Sequence, residues 1–250
     1  MSSPTTSPLE IQKDCMQCPI RHRAVCARCE PRELARLEQI KYYRTYERGQ
    51  NVVFAGDRMD FVASVVSGMA TLSDIDEEGR SQMLGMLFPS DFLGRPGRAV
   101  APYDVKAQTD LTLCCFRRKP FEKLMEEMPH IGQRLLEMSL DELDAAREWM
   151  LILGRKNARE RIASLLLAIA KRADDLGYAS SSDALSFDLP LTREAMADYL
   201  ALTLETVSRQ VSALRRDRVI DVSHNRKIVI PNLKDLIRET GDLSGSGTYT

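Results

Sequence analysis

The chain has 250 residues, enough for one large domain or two modest ones. Apolar residues make up 44% of it, and no apolar run reaches the roughly 20 residues that span a bilayer, which excludes a transmembrane protein. The net charge of -1 does not exclude a nucleic-acid partner, because a balanced total can hide a local basic surface. The first residues, MSSPTTSPLE, lack the basic start and apolar run of a secretory signal, so we predict a cytoplasmic protein.

Four of the six cysteines lie in one short N-terminal segment, DCMQCPIRHRAVCARC. They form two C-x2-C pairs, Cys15 with Cys18 and Cys26 with Cys29. In a reducing compartment, clustered cysteines are more often metal ligands or redox groups than structural disulfides. Four thiolates suit either one tetrahedral zinc ion or one 4Fe-4S cluster, and the paired C-x2-C spacing slightly favours zinc.

The region between Tyr42 and Phe121 has the pattern of a β protein. Glycines separate short apolar segments, among them NVVFAG, FVASVVSG, QMLGMLF and LTLCCF, which predicts an all-β roll or barrel. Cys114 and Cys115 are adjacent in the last segment, so their side chains point to opposite faces of a strand. A free strand cysteine is commonly a buried hydrophobe; the alternative is that Cys114 is a remote fourth ligand of the N-terminal segment.

A long helix is predicted next, in HIGQRLLEMSLDELDAAREWMLILGRK. This stretch has neither Gly nor Pro between Gly132 and Gly154, which favours a single helix of about 22 residues or more. A helix that packs only against its own domain needs one apolar stripe, whereas this one has two. We therefore favour a two-fold homodimer over a monomer with one wide buried face. The stripe assigned to the dimer contains Leu136, Leu143, Ala146, Met150 and Leu153, and the stripe assigned to the β domain contains Ile131, Leu135, Met138, Ala145, Trp149 and Ile152.

The last third of the chain predicts a winged helix-turn-helix. A helix that starts near Asn157 leads to the polar stretch YASSSDALSFD, which we expect to be a loop. A helix capped by Thr192 follows, then a break at Ala201 and Leu202, and then a helix capped by Thr203. The alternating segments VIDVS and KIVIP predict a small hairpin after them.

The second helix of this unit has a polar side suited to the major groove. Glu205, Ser208 and Arg209 are three and four residues apart and share one face, and the opposite, inward face is assigned to Leu204, Val207, Val211 and Leu214. Arg can read guanine O6 and N7, Glu can accept from the cytosine amino group, and Ser can serve a base or a phosphate. The alternative, that these are merely solvated charges, is disfavoured by the preceding helix and the hairpin. The residues assigned to DNA binding are Thr203, Glu205, Thr206, Ser208 and Arg209, with phosphate contacts from Arg215, Arg216, Arg218 and Lys227.

Several of these motifs together resemble the CRP/FNR family of bacterial regulators, and in particular its FNR branch. They are the cysteine segment, the turns ERGQNVVFAGD and FPSDFLG, the long helix that leads into GRKNARERIASLL, and the helix LTLETVSRQ. The resemblance covers roughly Cys15 to Leu233, and its most specific piece is the E-x-x-S-R motif of the reading helix.

The resemblance implies an oxygen sensor that regulates transcription. It implies a 4Fe-4S cluster held by Cys15, Cys18, Cys26 and Cys114, although Cys29 remains an alternative to Cys26 because Cys18 and Cys26 are further apart than in the best-known members. It also implies a homodimer that binds a palindrome of the type TTGAT-N4-ATCAA without oxygen and releases it when oxygen destroys the cluster. RNA polymerase is the expected protein partner, and the loop from Asp74 to Arg80 is a candidate for that contact.

The expected fold class is α+β, with an N-terminal β-roll, a long dimerisation helix and a C-terminal winged helix-turn-helix. Three other functions compete. A cyclic nucleotide regulator could use Arg95 and Arg98 but needs no cysteine segment. A zinc-stabilised DNA-binding protein would use all four N-terminal cysteines. An enzyme is disfavoured because His22, His130 and His224 have no catalytic partner at a recognisable spacing and are expected on the surface. The predicted domains are 1–30 for cluster binding, 31–128 for the β-roll, 129–154 for the dimerisation helix, 155–238 for the DNA-binding domain and 239–250 for a disordered tail.

Overall fold

The computed structural model of the chain describes residues 14–79, 81–175, 185–223 and 226–242. The elements follow the predicted order: a cysteine-rich segment, a β-roll, a long helix, and a helical domain with a small sheet. The α+β fold class is therefore confirmed. None of the helices in the described ranges is long and apolar enough to cross a membrane.

The cysteine segment is followed by a helix that the sequence reading missed. A short 3-10 turn covers Cys15–Gln17 and helix α1 covers Pro31–Ile40. Helix α1 starts with a capping box between Glu30 and Glu33, which satisfies backbone N–H groups at its first turn. Its apolar side chains Leu34 and Leu37 are buried beneath the segment. The cysteines are consequently attached to a packed helix rather than to a free arm.

Eight antiparallel strands form the predicted β-roll. In the turn between two of them, a Cβ on Gly68 would lie 2.1 Å from the Asp110 carbonyl oxygen and φ is +83°, so only glycine fits there. The strands are β1 Lys41–Tyr46, β2 Asn51–Val53, β3 Phe61–Ser67, β4 Ala70–Ile75, β5 Ser81–Leu87, β6 Phe92–Leu93, β7 Asp104–Ala107 and β8 Leu111–Arg117. They form two sheets, in the orders β1-β8-β3-β6 and β2-β7-β4-β5, with an apolar core between them.

The predicted long helix is confirmed and extends past both of its glycines. Helix α2 covers Arg118–Glu127, and helix α3 then runs over Pro129–Arg155, 27 residues. The stripe assigned to the β domain packs as expected at its ends, where Ile131 and Ile152 are buried, but Ala145 is exposed, against the prediction.

The stripe assigned to the dimer is largely open to solvent. Leu136, Leu143, Ala146 and Met150 are exposed and Leu153 is half-buried. Leu140 and Leu151, which were not assigned to this stripe, are exposed as well.

The C-terminal domain has the predicted winged helix-turn-helix with one extra strand. Part of the stretch expected as a loop forms strand β9 because Phe187 is buried in the domain core; residues 176–184 of that region lie outside the described residues. The helices are α4 Ala158–Asp175, α5 Arg193–Leu200, α6 Leu204–Arg216 and α7 Leu233–Glu239. The strands are β9 Leu185–Asp188, β10 Asp221–Ser223 and β11 Lys227–Ile230, in the order β10-β11-β9.

The C-terminal domain packs directly against the β-roll. Met83 of β5 belongs to the same apolar core as helices α4 to α6, and the Gln82 side-chain amide donates to the Asp198 carbonyl oxygen at 2.9 Å. Arg172 of α4 lies 3.4 Å from Asp91. Burial raises the pKa of Asp91, and the charge of Arg172 opposes that rise. A change in the β-roll is therefore in a position to reach the DNA-binding domain.

Candidate cysteine site and nucleic-acid interface

Four cysteines from two distant parts of the chain surround one small cavity. They are Cys15, Cys18 and Cys26 of the N-terminal segment and Cys114 of β8. The rest of the lining is mostly apolar, and it consists of Ile20, Ala24, Leu37, Tyr43, Ser64 and Phe116. The four cysteines are the same four that the family resemblance implies as ligands.

Local backbone structure orients the N-terminal cysteines toward the cavity. The Asp14 carboxylate accepts a hydrogen bond from the Met16 N–H at 2.7 Å and so caps the 3-10 turn. The Cys18 N–H donates to the Cys15 carbonyl oxygen at 3.4 Å, which closes the turn between the first two cysteines. The Cys15 N–H also donates to the Glu38 carboxylate of α1 at 2.5 Å. The turn is thus fixed to the packed helix.

The two adjacent cysteines of β8 lie in different environments, as the strand alternation predicts. Cys114 pairs across the sheet with Tyr43 and Ser64, both of which line the cavity. Cys115 is fully buried in the core between the two sheets, and burial raises the pKa of its thiol to about 12. Cys114 is therefore the only one of the pair in a position to act as a ligand.

Burial dominates the chemistry of the cavity thiols. Burial, then the neighbouring cysteines, raises the pKa of Cys26 to about 12. The pKa of Cys114 is raised in the same way, by burial first and by Cys15 next. Burial thus favours the protonated thiols, and a metal that binds here must displace their protons.

A buried lysine contacts one of the thiols. The Lys41 ammonium donates to Cys15 Sγ at 3.0 Å, and the lysine side chain is only 7% exposed. Burial alone would lower the pKa of Lys41, but the hydrogen bond and the nearby thiols together raise it. Burial raises the pKa of Cys15, whereas Lys41 lowers it. The cation thus favours the thiolate form of Cys15, which is the form that binds metals.

The donor set of the cavity fits a soft metal centre. Four sulfur ligands in apolar surroundings are the ligand set of iron–sulfur clusters and of structural zinc sites. The Ser64 hydroxyl, which lines the cavity, is buried without a hydrogen-bond partner among the described residues. Such a hydroxyl can donate to a ligand sulfur or to a bound group.

Cys29 lies apart from the cavity, against the arrangement in which all four N-terminal cysteines bind one zinc ion. Its thiol is instead close to Glu33 of α1 and His130 of α3. His130, which was expected on the surface, is partly buried: its side chain is 32% exposed, but its Nε2 atom is buried. His22 is exposed as predicted, and His224 lies outside the described residues.

The cysteine segment rests on the first turns of the long helix. The Arg134 guanidinium donates to the Arg23 carbonyl oxygen at 2.7 Å, and Arg28 forms an ion pair with Glu137 at 2.9 Å. The segment therefore contacts the helix that has the exposed leucine face. Sequence spacing gave no sign of these contacts because their partners are more than a hundred positions apart.

The helix-turn-helix is built as predicted. Helix α5 ends at Ala201, whose φ of 51° makes the tight left-handed turn. Thr203 then caps α6, since its hydroxyl accepts from the Thr206 N–H at 3.2 Å. The cap and the turn fix the start of α6, and the residues assigned to base reading lie in its first two turns.

The outward face of α6 is polar and open. The side chains of Glu205 and Arg209 are 87% and 63% exposed and approach each other at 3.9 Å, while Ser208 is exposed beside them. On the inner face, Val207, Val211 and Leu214 are buried as predicted. Leu204 is 45% exposed, so its assignment to the inner face is wrong: as the first residue of α6 it precedes the packed turns.

Three further sets of residues that were assigned from the sequence are exposed. The residues assigned to phosphate contacts are all exposed: Arg215, Arg216, Arg218 and Lys227. Arg215 lies 3.5 Å from Asp221 and Arg216 lies 3.8 Å from Asp217, so part of this charge is balanced within the chain. The loop proposed for RNA polymerase is exposed from Asp74 to Gly79, and Arg80 lies outside the described residues. Arg95 and Arg98, the alternative phosphate ligands of the β-roll, are exposed.

Comparison with known domains supports this architecture. Residues 43–128 match the cyclic nucleotide-binding domain and residues 160–239 match the Crp-like helix-turn-helix domain. The structure of FixK2 from Bradyrhizobium japonicum is similar with a TM-score of 0.71 and 28% identity, over 80% of this chain and 96% of that one. The two matched domains and the FixK2 likeness agree with the observed order of elements.

Sequence relatives extend the likeness over nearly the whole chain. The transcriptional activator protein FnrL of Cereibacter sphaeroides is 64% identical over 233 residues, 93% of this chain and 94% of the relative. The nitrogen fixation regulation protein FixK of Bradyrhizobium diazoefficiens is 34% identical over 84% of this chain and 87% of the relative. With both domains present in the expected order, the chain belongs to the CRP/FNR family of regulators.

Proposed function

We propose that this protein is an oxygen-responsive transcriptional activator that binds DNA as a homodimer. The sensing part rests on one observation above all, that Cys15, Cys18, Cys26 and Cys114 surround a single apolar cavity. The DNA-binding part is supported by the capped, exposed polar face of α6. A regulatory role also agrees with the names of the relatives FnrL and FixK.

In this proposal the four cavity cysteines hold a 4Fe-4S cluster. The cluster would supply the reaction with oxygen, because oxygen destroys such clusters. Cys26 is preferred to Cys29 as the third N-terminal ligand because it lines the cavity with Cys15 and Cys18. Lys41 offsets part of the negative charge of the ligand sulfurs through its contact with Cys15. Apolar neighbours such as Leu37 and Phe116 limit the access of water to the sulfurs.

The contacts of the cysteine segment suggest how the state of the site reaches the dimer. A segment fixed to Cys114 lies against α3 through Arg134 and Glu137, and it becomes free to leave the helix when the ligands are released. A bound group shifts an equilibrium only by its differential interaction with the two states. A coupling of about 2 kcal/mol changes the ratio of the two states about thirtyfold, which is enough for a switch.

A second copy of this chain is the proposed partner of the exposed face of α3. Burial of its leucines against the same face of a second copy gives a two-fold interface. Such a dimer presents two α6 helices, which suits a palindrome of the type TTGAT-N4-ATCAA. Glu205, Ser208 and Arg209 then contact base edges in each half-site, and the exposed loop at Asp74–Gly79 is proposed to contact RNA polymerase.

The proposal is tested by analysis of the full chain purified without oxygen. We expect a brown protein with about four irons and matching sulfide per chain, which loses its colour and its palindrome affinity in air. Cys26→Ser should abolish iron binding, whereas Cys29→Ser should retain it. Cys115→Ser is the matched control, because that thiol neighbours Cys114 but faces the β-roll core.

A contrary result is equally clear. A colourless, air-stable protein, whose bound zinc is lost in Cys18→Ser, would show that the cavity is a structural zinc site. Equal iron content in Cys26→Ser and the wild-type protein would remove Cys26 from the ligand set. Palindrome binding that is the same with and without oxygen would reject the sensing role while leaving the DNA-binding role.

A further inference from the structure

A second group of metal-ligating side chains lies outside the cavity. Cys29 ends the cysteine segment, Glu33 is in the first turn of α1 and His130 is in the first turn of α3. Their sulfur, oxygen and nitrogen ligand atoms all lie within 4.8 Å of one another. The start of helix α3, which is distant in sequence, thus meets Cys29 and Glu33 at one point.

We propose that Cys29, Glu33 and His130 form a second metal site, which binds Zn2+ or a divalent ion of similar softness. Cys sulfur, His nitrogen and a carboxylate oxygen are the three ligand types that zinc uses in proteins. Three protein ligands leave one tetrahedral position for water. The site is separate from the cavity that the proposed function uses, and it does not depend on that function.

The Nε2 atom of His130 is in a position to bind a metal ion. Its Nε2 atom is buried and lies 3.1 Å from a Glu33 carboxylate oxygen, yet it forms no hydrogen bond with any described residue. Either a hydrogen on Nε2 or a metal ion between the imidazole nitrogen and the carboxylate makes this approach favourable. Only a metal ion would also bind the Cys29 sulfur, which lies within 4.8 Å of both groups. A zinc ion satisfies all three groups at once.

Two of the ligands are held in position before any metal arrives. The Glu33 carboxylate accepts from the Glu30 N–H at 2.8 Å in the capping box of α1, which fixes its side chain. Cys29 is 3% exposed, and its carbonyl oxygen accepts from Arg21 at 3.4 Å. A preorganised ligand loses less conformational entropy on binding. The sequence segment therefore supplies a nearly complete site.

Burial and charge set how Cys29 must react. Burial, followed by the charge of Glu33, raises the pKa of the Cys29 thiol to about 11, while Arg21 opposes the rise. Burial thus favours the protonated thiol, and a metal ion that binds must displace its proton. The Arg21 cation stabilises the thiolate, which is the form that binds metals.

Occupancy of the site would connect the cysteine segment to the dimerisation helix. Cys29 follows the three N-terminal cavity cysteines in the chain, whereas His130 is the second residue of α3. A metal ion between them would anchor the end of the segment independently of the cavity ligands. If the proposed function holds, loss of the cavity group would then release Cys15 to Cys26 while the end of the segment stays attached to α3.

Zinc binding by the full chain tests this proposal. Protein purified without oxygen is dialysed against buffered Zn2+, and zinc and iron are measured per chain. We expect one zinc per chain in the wild-type protein, and affinity weaker by about tenfold or more in Cys29→Ser and His130→Asn. Zinc should raise the thermal unfolding midpoint of the wild-type protein but not of His130→Asn.

Two control variants separate this site from other zinc binding. His22→Asn alters an exposed histidine of the same segment and should keep the zinc. Cys18→Ser removes a cavity ligand and should also keep it. Zinc affinity unchanged in His130→Asn, or lost in Cys18→Ser, would overturn the proposal. If Cys29→Ser fails to fold, His130→Asn decides; the iron content reports separately on the proposed function.

Discussion

Helices α3 and α6 each leave a face open to solvent, but the two faces differ in chemistry. On α3 the open face is apolar: Leu136, Leu140, Leu143 and Met150 are between 44% and 71% exposed. On α6 it is polar, with Glu205 and Arg209 outward. Burial of leucines is favourable against any apolar surface, whereas burial of these charges is costly without matching polar groups. The first face therefore suits a second copy of the chain, and the second face suits base edges and phosphates.

The largest effect is expected from a charge on the apolar face. Leu136→Glu would bury two carboxylates at the proposed interface, and the sequence offers no basic residue three or four positions away to pair with each. An uncompensated buried charge costs about 3 to 5 kcal/mol. We expect a monomer in sedimentation analysis and loss of palindrome binding.

The control for this variant is Asp141→Lys, which changes the charge of an exposed α3 residue outside the leucine face. It should remain dimeric and bind DNA. A Leu136→Glu protein that stays dimeric would show that α3 is not the interface. The apolar face of α3 would then no longer be assigned to a second copy of the chain.

The next effect concerns the polar face. Arg209→Ala should cost about 1 to 3 kcal/mol at the guanine that it reads, and it should reduce discrimination at that position. Binding to the palindrome and to single-base variants, measured by fluorescence anisotropy, checks this expectation. Ser212→Ala, further along the same helix, is the control and should keep the full discrimination. A uniform loss of affinity on all sequences in Arg209→Ala would mean that the residue contacts phosphate only.

A smaller effect is expected at the start of α6. Thr203→Ala removes the hydroxyl that accepts from the Thr206 N–H, and the loss of such a cap costs about 1 kcal/mol of stability. Urea unfolding of the full chain measures it. Thr203→Ser retains an accepting hydroxyl and should restore most of the stability; equal destabilisation by both variants would argue against the capping role.

The smallest effect is expected on the wing. Lys227→Ala should weaken binding about equally on all sequences and lower the slope of log affinity against log salt by about one. Titrations at several salt concentrations measure the slope. An altered base preference in this variant would move Lys227 from the phosphate contacts to the base-reading set.

Elements with a strong local pattern were predictable from the sequence. The α3 helix follows from a long run of helix-forming residues, and the two threonine caps locate the starts of α5 and α6. Helix α1 was missed, although Glu30 and Glu33 form its capping box, because residues 31–40 were assigned to the β-roll. Strand β9 was missed because its polar neighbours gave it the composition of a loop.

The candidate site was predictable only in part. Strand alternation separated Cys114 from Cys115, but it could not say which of them faces the N-terminal segment. The choice of Cys26 over Cys29 came from a family resemblance, and the cavity lining now supports it. Nothing in the local sequence connected Cys29 with Glu33 and His130, since His130 belongs to a different part of the chain.

Local patterns in the sequence predicted the long helix, the helix-turn-helix and the order of the domains, because helix caps, apolar periodicity and turn glycines act between residues that are close along the chain. Tertiary structure alone decided which thiols share a cavity, how the cysteine segment contacts α3 through Arg134, and which leucines stay exposed. These features arise from packing between distant segments, where the burial of many side chains is optimised together and no local pattern records the outcome.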